Sequence, residues 1–172
     1  MHDYSRIRYI ALDMDGTMTD GGLIYDSLGN ELKRFDVKDG LAILMAIAAG
    51  YEFLVITGRR SPIVERRVKE LGIQHLITGA QLKLPALRTW MEENHVSKDE
   101  ICYIGDDWND LQCMQSVAES MCPADAAPEV RKSSGYVAKA FAGHGAVREC
   151  LESLMKSVGK WEETCERVYF EN

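Results

Sequence analysis

The chain has 172 residues, 46% of them hydrophobic, and twenty-seven acidic against twenty basic side chains leave a formal charge of −7. That balance argues against nucleic-acid binding, which needs a basic footprint on the phosphates, and the length favours a single domain, 1–172, with an ordinary core. The longest apolar stretch, Leu41 to Ala49, falls short of the roughly 20 residues of a membrane span, and Asp3, Arg6, Arg8, Asp13 and Asp15 interrupt the N-terminus where a secretory signal would be apolar.

Ile7 to Leu12 reads as a mostly buried strand running into Asp13. Leu23 to Asp26 and Glu31 to Val37 flank Ser27-Leu28-Gly29-Asn30, which predicts a hairpin inserted at about residues 19–36. Asp39 is a candidate cap for an apolar helix from Gly40 to Ala49, with Gly50 as its stop. Phe53 to Ile56 is a strand. Ser61-Pro62 starts a helix, a capping hydroxyl followed by proline at the first turn, and Gly72 ends it after Leu71. A strand over Gln74 to Thr78 and a helix over Leu82 to Asn94 follow. Ile101 to Ile104 is a strand ending at Gly105-Asp106-Asp107, before a helix to about Val117.

Two further strand–helix units follow, Ser120–Cys122 with Ala127–Lys132, and Tyr136–Ala138 with Ala146–Val158. The tail from about residue 160 to 172 holds Trp161, Tyr169 and Phe170 and is expected to dock on the surface. Strand–helix alternation of this kind predicts an α/β fold, a parallel Rossmann-like sheet between two helical layers, with ligands at the carboxyl ends of the strands. Cys102, Cys113, Cys122, Cys150 and Cys165 are odd in number with no CxxC pair, so reduced thiols and a cytoplasmic setting are expected.

Three polar clusters fall at strand ends. Asp13-Met14-Asp15-Gly16-Thr17-Met18-Thr19-Asp20 places two carboxylates together, suited to a hard metal, to a nucleophile beside an acid, or to a plain acidic turn. Gly105-Asp106-Asp107-Trp108-Asn109-Asp110 adds carboxylates where capping needs only one or two. Thr57-Gly58-Arg59-Arg60 offers a hydroxyl and backbone amides to an anionic oxygen, and Lys83 opens the next helix.

In that order, Asp-x-Asp-Gly-x-x-Thr-Asp, hydrophobic-x-Thr-Gly-Arg, the helix-start Lys83 and Gly-Asp-Asp-x-x-Asp resemble the four motifs of the haloacid dehalogenase superfamily phosphatases, from Ile7 to roughly Glu149. The hairpin, Val37-Lys38-Asp39-Gly40 and Gly143-His144-Gly145-Ala146-Val147-Arg148-Glu149 resemble its small subgroup without a cap domain. The resemblance implies a phosphatase acting on a sugar-acid phosphate, 3-deoxy-D-manno-octulosonate 8-phosphate, with nine-carbon nonulosonate 9-phosphates as the alternative.

Asp13 would be the nucleophile and Asp15 the acid and base. Mg²⁺ would sit on Asp13, the Asp15 carbonyl and Asp106, with Asp107 and Asp110 orienting the site from behind. Thr57 and Lys83 would hold phosphoryl oxygens. Gly58, Arg59, Arg67 and Asn109, together with Asp15, would line the substrate, the two arginines at its carboxylate end. Arg60, Arg66 and Lys69 read as a solvated helix face. Relatives carry arginine where this chain has His144, which is either a change in pocket charge or a surface-loop histidine. The subgroup also implies a homotetramer whose hairpins come together over the sites. A catalytically silent assembly module of related fold is disfavoured by retention of Asp13, Asp15, Lys83, Asp106 and Asp107, and a receiver domain by an acceptor Asp on the first strand.

Overall fold

A computed structural model describes residues 4–170, and among them eight strands and seven helices alternate along the chain. The first half runs β1 (Tyr9–Leu12), β2 (Ile24–Tyr25), β3 (Glu31–Leu32), α1 (Val37–Ala48), β4 (Glu52–Ile56), α2 (Pro62–Glu70) and β5 (His75–Ile77). The second runs α3 (Lys83–Glu93), β6 (Ile101–Ile104), α4 (Trp108–Ser116), β7 (Glu119–Cys122), α5 (Pro128–Ser133), β8 (Tyr136–Val137), α6 (Ala146–Ser157) and α7 (Lys160–Tyr169). Six strands form one parallel sheet in the order β5-β4-β1-β6-β7-β8. β2 and β3 pair antiparallel as a separate hairpin, and among the described residues no cap domain is added to it.

Successive residues of a strand face opposite sides, so each central strand feeds two cores. Ile10, Leu12, Phe53, Val55, Cys102 and Ile104 pack with α1, α2, α6 and Trp161. Ala11, Leu54, Ile56, Ile101 and Tyr103 pack with α3, α4 and α5. This is the expected three-layer α/β arrangement. Leu151 and Leu154 of α6 are fully buried between α1 and the sheet, and truncating such a leucine to alanine costs about 2–5 kcal/mol. Cys102 and Cys150 lie in the first core and Cys113 and Cys122 in the second, all four buried as free thiols, while Cys165 on α7 is half-buried.

The expected elements are present, most within a residue or two of their predicted ends. Four local readings change. β1 begins at Tyr9, two residues later than the pattern suggested. The hairpin ladder is shorter than predicted because Asp26 folds the turn onto itself, accepting from the N–H groups of Leu28 and Asn30, both at 2.8 Å. Asp36, not Asp39, caps α1, accepting from the N–H of Lys38 at 2.6 Å, so the helix starts at Val37 and carries Asp39 inside its buried first turn. Ser61 stands at the cap position of α2 but makes no cap bond; its hydroxyl donates to Glu31 Oε2 at 2.6 Å.

The aromatic tail is a helix. Trp161 is buried under the Arg148 guanidinium, 4.5 Å from its ring centre, while Tyr169 and Phe170 stay exposed. Residues 171–172 of that predicted tail, like Asp3 at the other end, lie outside the described residues. Among the described residues, no helix is long and apolar enough to cross a membrane.

Candidate active site

The site lies where three neighbouring central strands, β4, β1 and β6, end on the same side of the sheet. The Asp13 N–H donates to the Ile104 carbonyl at 3.0 Å, which ties the first residue beyond β1 to the end of β6. The chain then folds back, with Met14 O accepting from the N–H groups of Met18 and Thr19 at 3.0 and 3.1 Å. Gly16 sits at φ +93°, a conformation open to glycine, and its missing Cβ leaves room for the Asp106 carboxylate. The Thr17 hydroxyl donates to Asp106 Oδ1 at 2.9 Å.

Asp110 organises the other wall. Its Oδ1 accepts from Lys83 Nζ and from the Tyr103 hydroxyl, each at 2.7 Å. Its Oδ2 accepts from the Asp106 N–H at 3.2 Å. Lys83 Nζ, at the first turn of α3, also meets Asp13 Oδ1 at 2.6 Å, so one buried ammonium bridges two buried carboxylates. Gly105 makes the approach possible, since a Cβ there would stand 2.6 Å from Asp110 Cβ. On the β4 side, Thr57 is pinned through its N–H to Ile77 O at 2.9 Å and its Oγ1 accepts from the Arg59 N–H at 3.3 Å.

Carboxylate oxygens of Asp13, Asp106 and Asp110 lie within 4.8 Å of one another. Burial first, and then the Asp110 charge, raise the Asp13 carboxyl against the pull of Lys83. The same two causes raise Asp106 to about 6. Burial opposes the Lys83 charge, but Asp13 and Asp110 outweigh it and hold the ammonium above its ordinary value. Crowded anions with oxygen-only donors fit a hard divalent cation such as Mg²⁺.

The structure brings together Asp13, Asp106, Asp110 and Lys83 as expected, with Asp110 more central than a background role suggested. Asp107 is exposed and caps α4, accepting from the Trp108 N–H at 2.8 Å. Asn109 is exposed beside it. Gly58 turns its carbonyl to Gln81 Nε2 at 3.2 Å.

The predicted carboxylate-binding arginines are engaged elsewhere. Arg59 donates to Tyr25 Oη at 2.9 Å and to Glu31 at 3.1 Å on the hairpin. Arg67 lies over the Phe35 ring at 5.4 Å and reaches Glu70 at 3.6 Å, with a buried Nε that has no partner. Arg60, Arg66 and Lys69 are exposed, as a solvated face requires. His144 is also exposed; its Nε2 meets Arg34 Nη2 at 2.6 Å, and a guanidinium can only donate, so that ring nitrogen accepts.

Sequence reasoning missed three residues. Tyr103 faces the α3–α4 layer, which strand alternation alone would have indicated. Glu31 and Lys33 lie two apart on the hairpin and share one face. Lys33 Nζ pairs with Asp15 Oδ1 and lies 3.4 Å from Glu31 Oε1.

A parallel sheet carrying a carboxylate–lysine–carboxylate chain at the ends of its central strands is the arrangement of proteins that accept a phosphoryl group on aspartate. Residues 78–149 match the haloacid dehalogenase-like hydrolase family. The chain is 38% identical over 157 residues to the 3-deoxy-D-manno-octulosonate 8-phosphate phosphatase KdsC of Escherichia coli K12, across 91% of this chain and 84% of that protein. It is 36% identical over 154 residues to the enzyme of that name from Haemophilus influenzae, across 90% and 86%.

The crystal structure of 3-deoxy-D-manno-octulosonate 8-phosphate phosphatase from Moraxella catarrhalis, in complex with magnesium, phosphate and KDO, superposes with a TM-score of 0.90 at 36% identity, covering 93% of this chain and 92% of that one. The cobalt-bound Haemophilus influenzae phosphatase gives 0.88 at 32%, covering 98% and 94%. The chain belongs to the haloacid dehalogenase-like hydrolases, and it is a phosphoric monoester hydrolase.

Proposed function

We propose that this chain hydrolyses 3-deoxy-D-manno-octulosonate 8-phosphate to the free sugar acid and phosphate, in the cytoplasm, as a single domain spanning residues 1–172. The observation that carries the reading is the buried Asp13–Lys83–Asp110 chain with Asp106 beside it, in a protein similar over most of its length to phosphatases of that name.

Asp13 attacks phosphorus in line and forms an aspartyl phosphate; it attacks as the carboxylate, the form that the Lys83 ammonium and a bound cation favour against the burial that raises it. Asp15 gives its proton to the departing sugar oxygen. Its carboxylate then takes a proton from the water that hydrolyses the aspartyl phosphate, which restores both residues. Lys83 Nζ, already on Asp13, and the Thr57 hydroxyl donate to the non-bridging oxygens, where charge is greatest. The Asp13 side chain, the Asp15 carbonyl and Asp106 would hold Mg²⁺, whose positive charge would offset the crowded carboxylates and the phosphate.

Gly58, Arg59, Arg67 and Asn109 complete the substrate side, the arginines exchanging their present partners for the sugar acid's carboxylate, which their forked donors suit. Exposed Leu23, Ile24, Tyr25 and Leu32 on the hairpin support association into a homotetramer, and sedimentation as a monomer at working concentration would refute that part.

The test is phosphate release, with Mg²⁺ and with EDTA, from 3-deoxy-D-manno-octulosonate 8-phosphate, N-acetylneuraminate 9-phosphate and hexose phosphates, with Asp13→Asn as control. Metal-dependent preference for the eight-carbon acid, lost in the control, is expected. Preference for the nine-carbon ester would keep the mechanism and overturn the substrate. No turnover of any ester would leave the chain an assembly module.

A further inference from the structure

We propose that Lys33 is a positioning residue for Asp15, holding one carboxylate oxygen so that the other, which has no partner, keeps a fixed direction; this rests on the reading of Asp15 as the acid that protonates the leaving group. The hairpin around Lys33 is exposed, yet the Lys33 side chain is only 1% exposed and its ammonium lies on Asp15 Oδ1. The remaining oxygen, Asp15 Oδ2, is buried and has no partner. A carboxylate with one oxygen on an ammonium turns about its terminal torsion only by breaking that contact. Lys33 therefore fixes where the free oxygen points.

Lys33 is itself held. Glu31 Oε1 lies 3.4 Å from its Nζ, and Glu31 is anchored by the Ser61 hydroxyl at 2.6 Å and by Arg59 at 3.1 Å. Ser61 leaves the α2 cap unmade to do so. Its bond to Glu31 draws that carboxyl below the usual range, with the nearby Lys33 and Arg59 charges adding to the effect. The line Ser61–Glu31–Lys33–Asp15 thus runs from the rigid start of α2, through the hairpin, to the loop after β1. Position matters here because misplacing a reacting group by about 1 Å can cost on the order of 10²-fold in rate.

The test compares an alkyl phosphate, the sugar-acid ester or a hexose phosphate, with p-nitrophenyl phosphate, in Mg²⁺. An alkoxide must be protonated as it leaves, and nitrophenolate need not be. The quantity to read is kcat/KM, which reports only steps up to release of the alcohol and so omits the later hydrolysis that both substrates share.

For Lys33→Met, kcat/KM is expected to fall by about 30–100-fold on the alkyl ester and by less than about threefold on the aryl ester. Asp15→Asn should give the same pattern more deeply, Lys33→Arg should recover most of the loss, and Ser61→Ala, which frees Glu31 and keeps the lysine, should give it more weakly. Ser61→Ala carries the test if Lys33→Met fails to fold.

Equal losses on both esters, or none, in Lys33→Met while Asp15→Asn remains selective would overturn this inference alone. An unselective Asp15→Asn would overturn the reading of Asp15 as the acid, and the inference with it.

Discussion

Replacing Lys83 with methionine removes the ammonium that bridges Asp13 and Asp110 and keeps most of the side chain's volume. The Lys83 and Asp110 side chains are 0% exposed and that of Asp13 is 6% exposed, so water cannot take over the lost contacts. Removing one partner of a buried ion pair costs about 3–5 kcal/mol. In a domain of this size 1 kcal/mol moves Tm by roughly 2–4 °C, so Lys83→Met should melt about 6–20 °C below the parent. Adding Asp110→Asn removes one of the two stranded carboxylates, and the double variant should melt above the single one. Phosphate release should fall by about 10²–10³, the usual cost of losing one donor to developing charge. Calorimetry in metal-free buffer reads the first two quantities. A drop under about 2 °C, or simple additivity in the double variant, would refute the argument that Lys83 is there to compensate buried charge.

Three other outcomes follow from the same geometry. Mg²⁺ at about 100 times its Kd should stabilise by about 2.7 kcal/mol, or roughly 5–11 °C in Tm, with EDTA reversing the gain and Asp106→Asn abolishing it; an unchanged Tm would count against the cation site. Asp39 is buried and pushed up from 3.8 to about 6, chiefly by that burial, although the Arg148 N–H donates to it at 2.7 Å. Because the folded value is the higher one, its contribution is fully present below about pH 4 and is lost as the pH rises through about 6. The Tm of the parent should therefore fall relative to Asp39→Asn across that window, and a pH-independent difference between the two would contradict the assignment. Gly105→Ala would drive a methyl into Asp110, 2.6 Å away, at about 1–3 kcal/mol of overpacking; kcat should fall in a phosphate-release assay, and full activity would mean that Asp110 tolerates displacement.

The central strands were legible because their residues are buried on both faces, which writes an unbroken apolar run such as Phe53 to Ile56. The acidic and threonine clusters were legible because a parallel sheet delivers strand ends to one edge, so Asp13, Thr57 and Asp106 had to share that edge once the alternation was recognised; the strand order β4-β1-β6 then makes them neighbours. What escaped depends on contacts between distant segments. Asp36 and Asp39 are equally good caps by composition, and only the approach of α6, whose Arg148 N–H needs an acceptor, selects Asp39 for the interior. Ser61 looked like a cap because nothing near it in sequence announces Glu31. The resting place of Arg67 against Gly40 and Phe35, away from the strand ends, depends on how α1 and α2 approach each other. Lys33 reads as an ordinary solvated charge until the hairpin folds back over Asp15.

The distribution of the thiols gives this protein built-in reporters of its own opening. Burial raises Cys113 to about 12 and pushes Cys102 and Cys150 up as well, so none of them meets an alkylating reagent as a thiolate while the layers stay closed. Cys102 and Cys150 sit beneath one helical layer and Cys113 and Cys122 beneath the other. Labelling rates resolved by peptide mass would therefore time the lifting of each helical layer from the sheet separately, with half-buried Cys165 reporting on α7.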